Sequence, residues 1–326
     1  MYQYENIKLE KGMYHLTNKS FLQALEDADP SLQYANSPLA GLDAYERQLK
    51  RFDIHVSGAN CDRVEKFFTT TESAVLFPEF VRRAVTQGMQ ESVLSEITAA
   101  VSKCESNRYQ GCELTDSAAY TTTNAGSALP VSSILESANV ITLQKYGRNI
   151  QASYEAIRQQ RLDVFSIMLR RIGKRLADSL VSKAVTVLKT AANTQTNKIT
   201  MAGQSLAYSD LANLYGEFKS FNMKVMLASP SVMAEILVMN QMMETSSQDV
   251  TEIRLPFGTK LINCPQLDDD TILGLDNEFA LEQIQSSDVI LETDKLINNQ
   301  LDSITVSVNI SFRTLMDETV KMLDIS

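Results

Sequence analysis

The sequence predicts an α+β fold, and three stretches carry that expectation. From Arg161 to Thr190 there is no proline, and apolar residues recur at steps of three and four, the period of one helix face. Near the C-terminal end, "SITVSVNISF" alternates apolar and polar residues without error, the period of a strand. Between about residues 200 and 285, short helical and strand patterns alternate.

Taken in order, residues 1–60 read as an arm broken by Pro30, Pro38 and polar clusters. Within it, "SPLAGLDAYERQLKRF" predicts one short amphipathic helix, capped by Ser37 and opened by Pro38, with Leu42, Tyr45, Leu49 and Phe52 as its stripe. "PEFVRRAVTQG" predicts a second helix, with Pro78 in its first turn and Gly88 at its end. "SEITAAVSK" fits either helix or strand. Residues 105–136 are rich in Ser, Thr, Asn, Ala and Gly and read as a long extended excursion. It returns through "ANVITLQ" and "RNIQASYE", which flank "KYG" as strand, turn and strand.

The rod that follows places Phe165, Met168, Ile172, Leu176, Leu180, Ala184 and Leu188 on one side. Its length is on the order of 45 Å. Arg170, Arg171, Lys174 and Arg175 sit in its middle and read as a solvated face. Beyond it, Ser209 and Asp210 begin a helix, "KVMLAS" is a buried strand, and "SVMAEILVMN" is a helix after Pro230. "QMMETSSQDV" reads as a mobile surface loop, and short strands follow at "EIRLPFGTKLINC", "TILGLD" and "EFALEQI". In the last strand Ile304, Val306, Val308, Ile310 and Phe312 face a core and Ser303, Thr305, Ser307, Asn309 and Ser311 face away, a half-buried strand.

Composition narrows the function classes. Of 326 residues, 44% are hydrophobic and 21% charged, enough for one large domain or two ordinary ones. Thirty basic against 40 acidic side chains leave a net charge of −10, which argues against a protein that wraps DNA. The N-terminal stretch shows no signal-peptide pattern, and no run approaches the roughly 18 apolar residues of a membrane span. Cys61, Cys104, Cys112 and Cys264 are scattered without a C-x-x-C pair, as expected of buried or inert thiols in a reducing compartment.

A search for chemistry finds no catalytic, cofactor-binding or metal residues to nominate. His15 and His55 are the only histidines and read as surface or packing residues. "GKRL" at Gly173 lies inside the rod, without the glycine loop of a phosphate site. "LDDD" at Leu267 lacks the spaced ligands of a calcium loop and reads as a turn. Glu155 has no visible partner for acid–base work. With no Trp and few aromatics, a stacking platform for single-stranded nucleic acid is also not indicated.

The runs "LDAYERQLKRFDIHVSG", "VEKFFTTTESAVLFPEFVRRAVTQGM" and "ITLQKYGRNIQASYEAIRQQRLDVFSIMLRRIG" resemble the major capsid proteins of tailed bacteriophages (Caudoviricetes) that infect Gram-positive bacteria. That family has the Hong Kong 97 fold, which encapsulin shells share. The resemblance runs from about residue 39 to the end and is strongest over 41–90 and 140–175. It implies an N-terminal arm (1–60), a peripheral domain (61–104 and 277–326) with a spine helix (155–199), an extended loop (105–154) and an axial domain (200–276). It also implies a virion protein that self-assembles as hexamers and pentamers of an icosahedral capsid around double-stranded DNA, without sequence-specific binding. Implied partners are further copies of the chain, a portal protein, a separate scaffolding protein and a decoration protein, with assembly in the host cytoplasm and no membrane. Some family members join an extended-loop lysine to a neighbour's asparagine; here no lysine lies between Lys103 and Lys145, so that crosslink is not expected. Two alternatives stay open on the sequence: an encapsulin-like compartment that encloses cargo, and a soluble α/β enzyme with an unrecognised site.

Overall fold

The local signals become secondary structure in the computed structural model, which describes residues 3–16, 19–116, 122–201, 203–245, 252–286, 289–296 and 301–325. Helix α1 (Phe21–Ala28) starts at Ser20, which exchanges reciprocal hydrogen bonds with Gln23. Helix α2 (Ala44–Arg51) has the same capping box from Asp43 and Glu46. Short α3 (Thr71–Ala74) leads into α4 (Phe77–Gln90), with Pro78 in its first turn. Helix α5 (Leu94–Ile97) passes directly into β1 (Thr98–Lys103), so the ambiguous "SEITAAVSK" holds both. Strands β2 (Arg108–Asp116), β3 (Ser132–Thr142) and β4 (Gln144–Ser153) follow, then α6 (Tyr154–Arg158). Helix α7 (Leu162–Ala192) has 31 residues, a rod of about 46 Å. The rest is β5 (Lys198–Thr200), α8 (Tyr208–Gly216), β6 (Val225–Ala228), α9 (Pro230–Val238), α10 (Asn240–Thr245), β7 (Lys260–Asn263), β8 (Thr271–Leu275), β9 (Leu281–Gln285), β10 (Ile290–Leu296), β11 (Leu301–Thr314) and β12 (Val320–Asp324).

The chain forms two compact units. The first comprises Met1–Glu91, Gly147–Ala177 and Val289–Ser307; the second, Ser92–Tyr146, Asp178–Asp288 and Val308–Ser326. In the first unit an aromatic cluster joins α4 to the start of α7: the Phe77 and Phe165 rings stack at 6.1 Å, and Phe67 meets Phe77 and Phe80 at 5.6 Å. Residues of the first sixty fold onto this unit. Tyr14 donates to the Val75 carbonyl at 2.7 Å and stacks on Phe21 at 4.2 Å. Arg47, fully buried, binds Asp29 Oδ2 through Nε at 2.5 Å and the Asp29 and Leu42 carbonyls at 2.5 and 2.6 Å. In the same unit β10 pairs antiparallel with the first half of β11, Ile290 opposite Ser307.

The second unit carries a five-stranded sheet in the order β5-β12-β8-β6-β7. Strands β6 and β8 are buried along their whole length, so they read as continuous apolar runs rather than alternating ones. Leu211 and Leu214 of α8 and Val232 and Ile236 of α9 pack with Met226, Leu261, Ile272 and Leu323 to form its core. In this unit the second half of β11 pairs antiparallel with β9, which pairs parallel with β1.

Several expectations are corrected. No turn forms at Lys145–Gly147: these residues lie within β4, which pairs with β11, while β3 pairs with β2. Gly147 answers a different need, since a Cβ there would sit 2.7 Å from the Val306 carbonyl oxygen. Helix α2 begins at Ala44 and not at Pro38, because Asp43 supplies the stronger cap; Ser37 closes a turn, donating to Tyr34 O at 2.9 Å. Gly88 lies inside α4, where α7 crosses it. Asn240–Thr245 of the expected loop is helical, and residues 246–250 lie outside the described residues. Met168 points outward at 52% exposure, while Leu169 takes the buried place. The polar face of β11 is covered too, Ser303, Ser307 and Ser311 being buried, so the strand is not half-solvated. Cys264 is buried and Cys61 and Cys104 half-buried, but Cys112 is exposed.

Candidate functional site

The residues weighed for chemistry remain apart. His55 is 54% exposed, with Nδ1 3.4 Å from Asp62 and 3.9 Å from Asp53. The side chains of His15 and Glu155 lie outside the described residues. "LDDD" is a loop whose acids are already engaged: Asp268 pairs with Lys189 at 2.5 Å, Asp269 accepts from Ser231, and Asp270 accepts from Thr271 at 2.7 Å. A cleft of about 460 Å³ beside that loop is lined by Thr186, Lys189, Lys198, Asp270 and Asp324, and Lys198 is itself paired with Asp324 at 2.5 Å. Among the described residues no group of three or more His, Cys, Asp or Glu could hold a metal, and no helix is long and apolar enough to cross a membrane. Gly173 of "GKRL" lies inside α7 against the Val85 carbonyl.

The exposed surface is more informative. Strands β2 and β3 form a two-stranded sheet of their own, with Glu113 opposite Leu135 and Leu114 opposite Ile134. Leu114, Ile134, Leu135 and Val140 are 53%, 72%, 60% and 53% exposed, and Leu129 and Val131 before β3 are 73% and 65% exposed. A free two-stranded ribbon is marginal in water. One that also displays this much apolar surface marks an interaction site.

Its base is fastened within the second unit by a buried carboxylate. Glu282 of β9 accepts from Ser102 of β1, from the Tyr109 hydroxyl of β2 at 2.9 Å and from Arg313 Nε of β11 at 2.5 Å. Burial alone would push this acid up, but the Ser102, Arg313 and Tyr109 hydrogen bonds and the Arg313 charge outweigh it and hold the pKa below the ordinary carboxylate range. The guanidinium of Arg313 also reaches the Cys112 carbonyl at 3.4 Å and lies where a Cβ on Gly111 would be, only 2.0 Å away. Glycine at 111 is what lets the clasp close over the ribbon. The excursion was legible in the sequence from its polar, extended composition; the clasp was not, since its members are up to about two hundred positions apart in the chain and none belongs to a local motif.

On α7, Val164, Ile167 and Met168 are 41%, 62% and 52% exposed, and Arg171, Lys174 and Arg175 continue the same face, exposed as expected. Arg170 turns aside to pair with Glu91.

The family model "Phage capsid protein" matches residues 136–311, more than half of the chain. No curated protein matches. Among solved structures, the capsid of an empty GTA particle is similar at TM-score 0.55 and 11% identity, covering 72% of this chain and 89% of that one. The SrpI encapsulin of Synechococcus elongatus is similar at TM-score 0.54 and 12% identity, covering 71% and 86%. Microbacterium phage Oxtober96 is similar at TM-score 0.52 and 14% identity, covering 72% and 90%. At these identities the likeness establishes a shared fold, with α7 as the long spine helix; the family match establishes the rest. The chain belongs to the phage capsid protein family and is a structural capsid protein of the virion with the Hong Kong 97-type fold, built to assemble into multimeric shells rather than to catalyse a reaction.

Proposed function

We propose that this chain forms hexamers and pentamers of an icosahedral shell that encloses double-stranded phage DNA, and that the β2–β3 ribbon is the arm by which one subunit grips the next. The observation that carries the reading is the ribbon itself, two strands with Leu114, Ile134, Leu135 and Val140 turned to solvent. Such a surface stays in solution only if a neighbour covers it. In this reading the peripheral domain is 61–104 with 277–326, the spine segment 155–199, the extended loop 105–154, the axial domain 200–276, and the arm 1–60. Assembly takes place in the host cytoplasm with a separate scaffolding protein and a portal, and a decoration protein reinforces the shell. The absence of lysine between Lys103 and Lys145 supports a shell held by non-covalent contacts. The net charge of −10 is in keeping with a wall that does not grip phosphates.

The test is to express the chain alone and with its phage's scaffolding protein and to examine the products by size-exclusion chromatography and negative-stain electron microscopy. Closed particles, tubes or rings of five and six are expected. A persistent monomer or dimer under both conditions refutes the reading. The likeness to the SrpI encapsulin favours a second reading, a compartment around protein cargo. Nucleic acid inside purified particles supports the first reading, and a co-purifying enzyme the second.

A further inference from the structure

Two exposed surfaces of the chain are complementary in both polarity and charge. The first is one face of the ribbon. Tyr109 and Gly111 of β2 are turned toward Glu282 and Arg313, so the alternate positions look the other way. That outward face carries Leu114, Ile134 and Val140 with Glu136 among them, all exposed. Between residues 104 and 144 the chain holds Glu105, Glu113, Asp116 and Glu136 against a single base, Arg108, so the ribbon is acidic as well as apolar.

The second is the open face of α7. Val164, Ile167, Met168, Arg171, Lys174 and Arg175 fall within one stripe at steps of three and four, apolar in its first turn and basic in the next two. Among the described residues neither Arg171 nor Lys174 has an ionic partner, in a chain with ten more acids than bases. From Val164 to Arg175 the stripe runs about 17 Å. Five residues of an extended strand cover about the same distance.

Resting on the reading of the ribbon as an inter-subunit arm, we infer that its outward face docks on the exposed stripe of α7 of a second copy of this chain. Leu114, Ile134 and Val140 cover Val164, Ile167 and Met168, and Glu136 meets Arg171 and Lys174. Neither surface suits a second copy of itself, since ribbon on ribbon would bring Glu136 against Glu136 and stripe on stripe would bring bases together. The contact is therefore head-to-tail, the type that closes rings. Charge fixes its direction and register, and apolar burial supplies most of its strength.

The native thiol on the ribbon makes the contact directly readable. Cys112 is exposed on the outward face, opposite Glu136. In particles of the Ile167→Cys variant, a short bis-maleimide is expected to link Cys112 to the introduced cysteine of the neighbour. Denaturing electrophoresis then shows a ladder of dimers and higher multiples, which Cys112→Ser abolishes. A ladder that survives Cys112→Ser, a crosslink confined to the monomer band, or particles of normal size without any crosslink overturns the inference and leaves the shell reading standing. If the wild-type chain forms no particles with or without scaffold, the shell reading fails and the contact falls with it. Charge reversal supplies a second readout. Glu136→Lys, and Arg171→Glu with Lys174→Glu, are each expected to lower particle yield at least about tenfold at low salt, and their combination to restore it. All three positions are exposed, so the subunits retain wild-type circular dichroism; failure of the combined variant to recover while each part alone is impaired overturns the pairing.

Discussion

Replacing Gly173 with alanine tests how the first unit is packed. Helices α4 and α7 cross at two glycines: a Cβ on Gly173 would meet the Val85 carbonyl oxygen at 2.0 Å, and one on Gly88 the Arg170 carbonyl oxygen at 2.0 Å. An ordinary carbon–oxygen contact is about 3.3 Å or more, so alanine at either position forces the helices apart by roughly 1 Å. The obstacles are backbone atoms inside regular helices and cannot swing aside. Overpacking of this kind costs about 1–3 kcal/mol, and here Val85, fully buried, and the Phe77–Phe165 stack on the same two helices must shift as well. Against that, alanine is the better helix former by about 1 kcal/mol. The expected balance for Gly173→Ala is a loss on the order of 2 kcal/mol, read as a lower unfolding midpoint by circular dichroism and faster amide exchange in α4 and α7. Gly216→Ala at the end of α8, where nothing lies within 4 Å, is the control and should be neutral or slightly stabilising. An unchanged or raised midpoint for Gly173→Ala would show that the two helices are not held in this close crossing.

Two further outcomes follow from buried charge. Arg47→Ala leaves Asp29 buried without its guanidinium, which should cost about 3–5 kcal/mol and loosen α1 against α2; limited proteolysis between residues 19 and 52 reads it, and resistance equal to wild type would contradict the account. Glu282→Gln keeps the shape of the clasp but removes the charge facing Arg313, so exchange and proteolysis should rise in residues 108–142 while the β5-β12-β8-β6-β7 sheet is unaffected. Because the folded pKa of Glu282 is depressed, its contribution is fully present above the ordinary carboxylate value near 4.3 and is lost as pH falls below that toward the depressed value. Wild-type ribbon protection should therefore fall with acid below about pH 4, and Glu282→Gln should flatten that dependence.

Local order in the chain was legible wherever it is written in short-range pattern. The thirty-residue apolar period made α7, the strict alternation made β11, Pro230 and its preceding serine opened α9, and the runs "KVMLAS" and "TILGLD" made buried strands. Periodicity reports a side chain's direction relative to its own element, and these elements need little more. The lysine-free excursion and the acidic balance were likewise properties of composition alone.

What the sequence left open was decided by partners far along the chain. "KYG" carries the residues of a turn, yet Gly147 is extended because β11 needs to approach it, and that need is invisible until residues 147 and 306 meet. Gly88 looks like a helix stop and is instead a crossing point, because the carbonyl it accommodates belongs to Arg170. The serines of β11 look like a solvated face and are covered, Ser303 by a hydrogen bond to Asn149 at 3.0 Å. Glu282, Ser102, Tyr109 and Arg313 have no common motif and become one clasp only when β1, β2, β9 and β11 converge. Sequence sets which face of an element is apolar; only the tertiary structure sets what that face meets, and so which glycine is a turn, which is a contact, and which apolar residues are left over for another subunit.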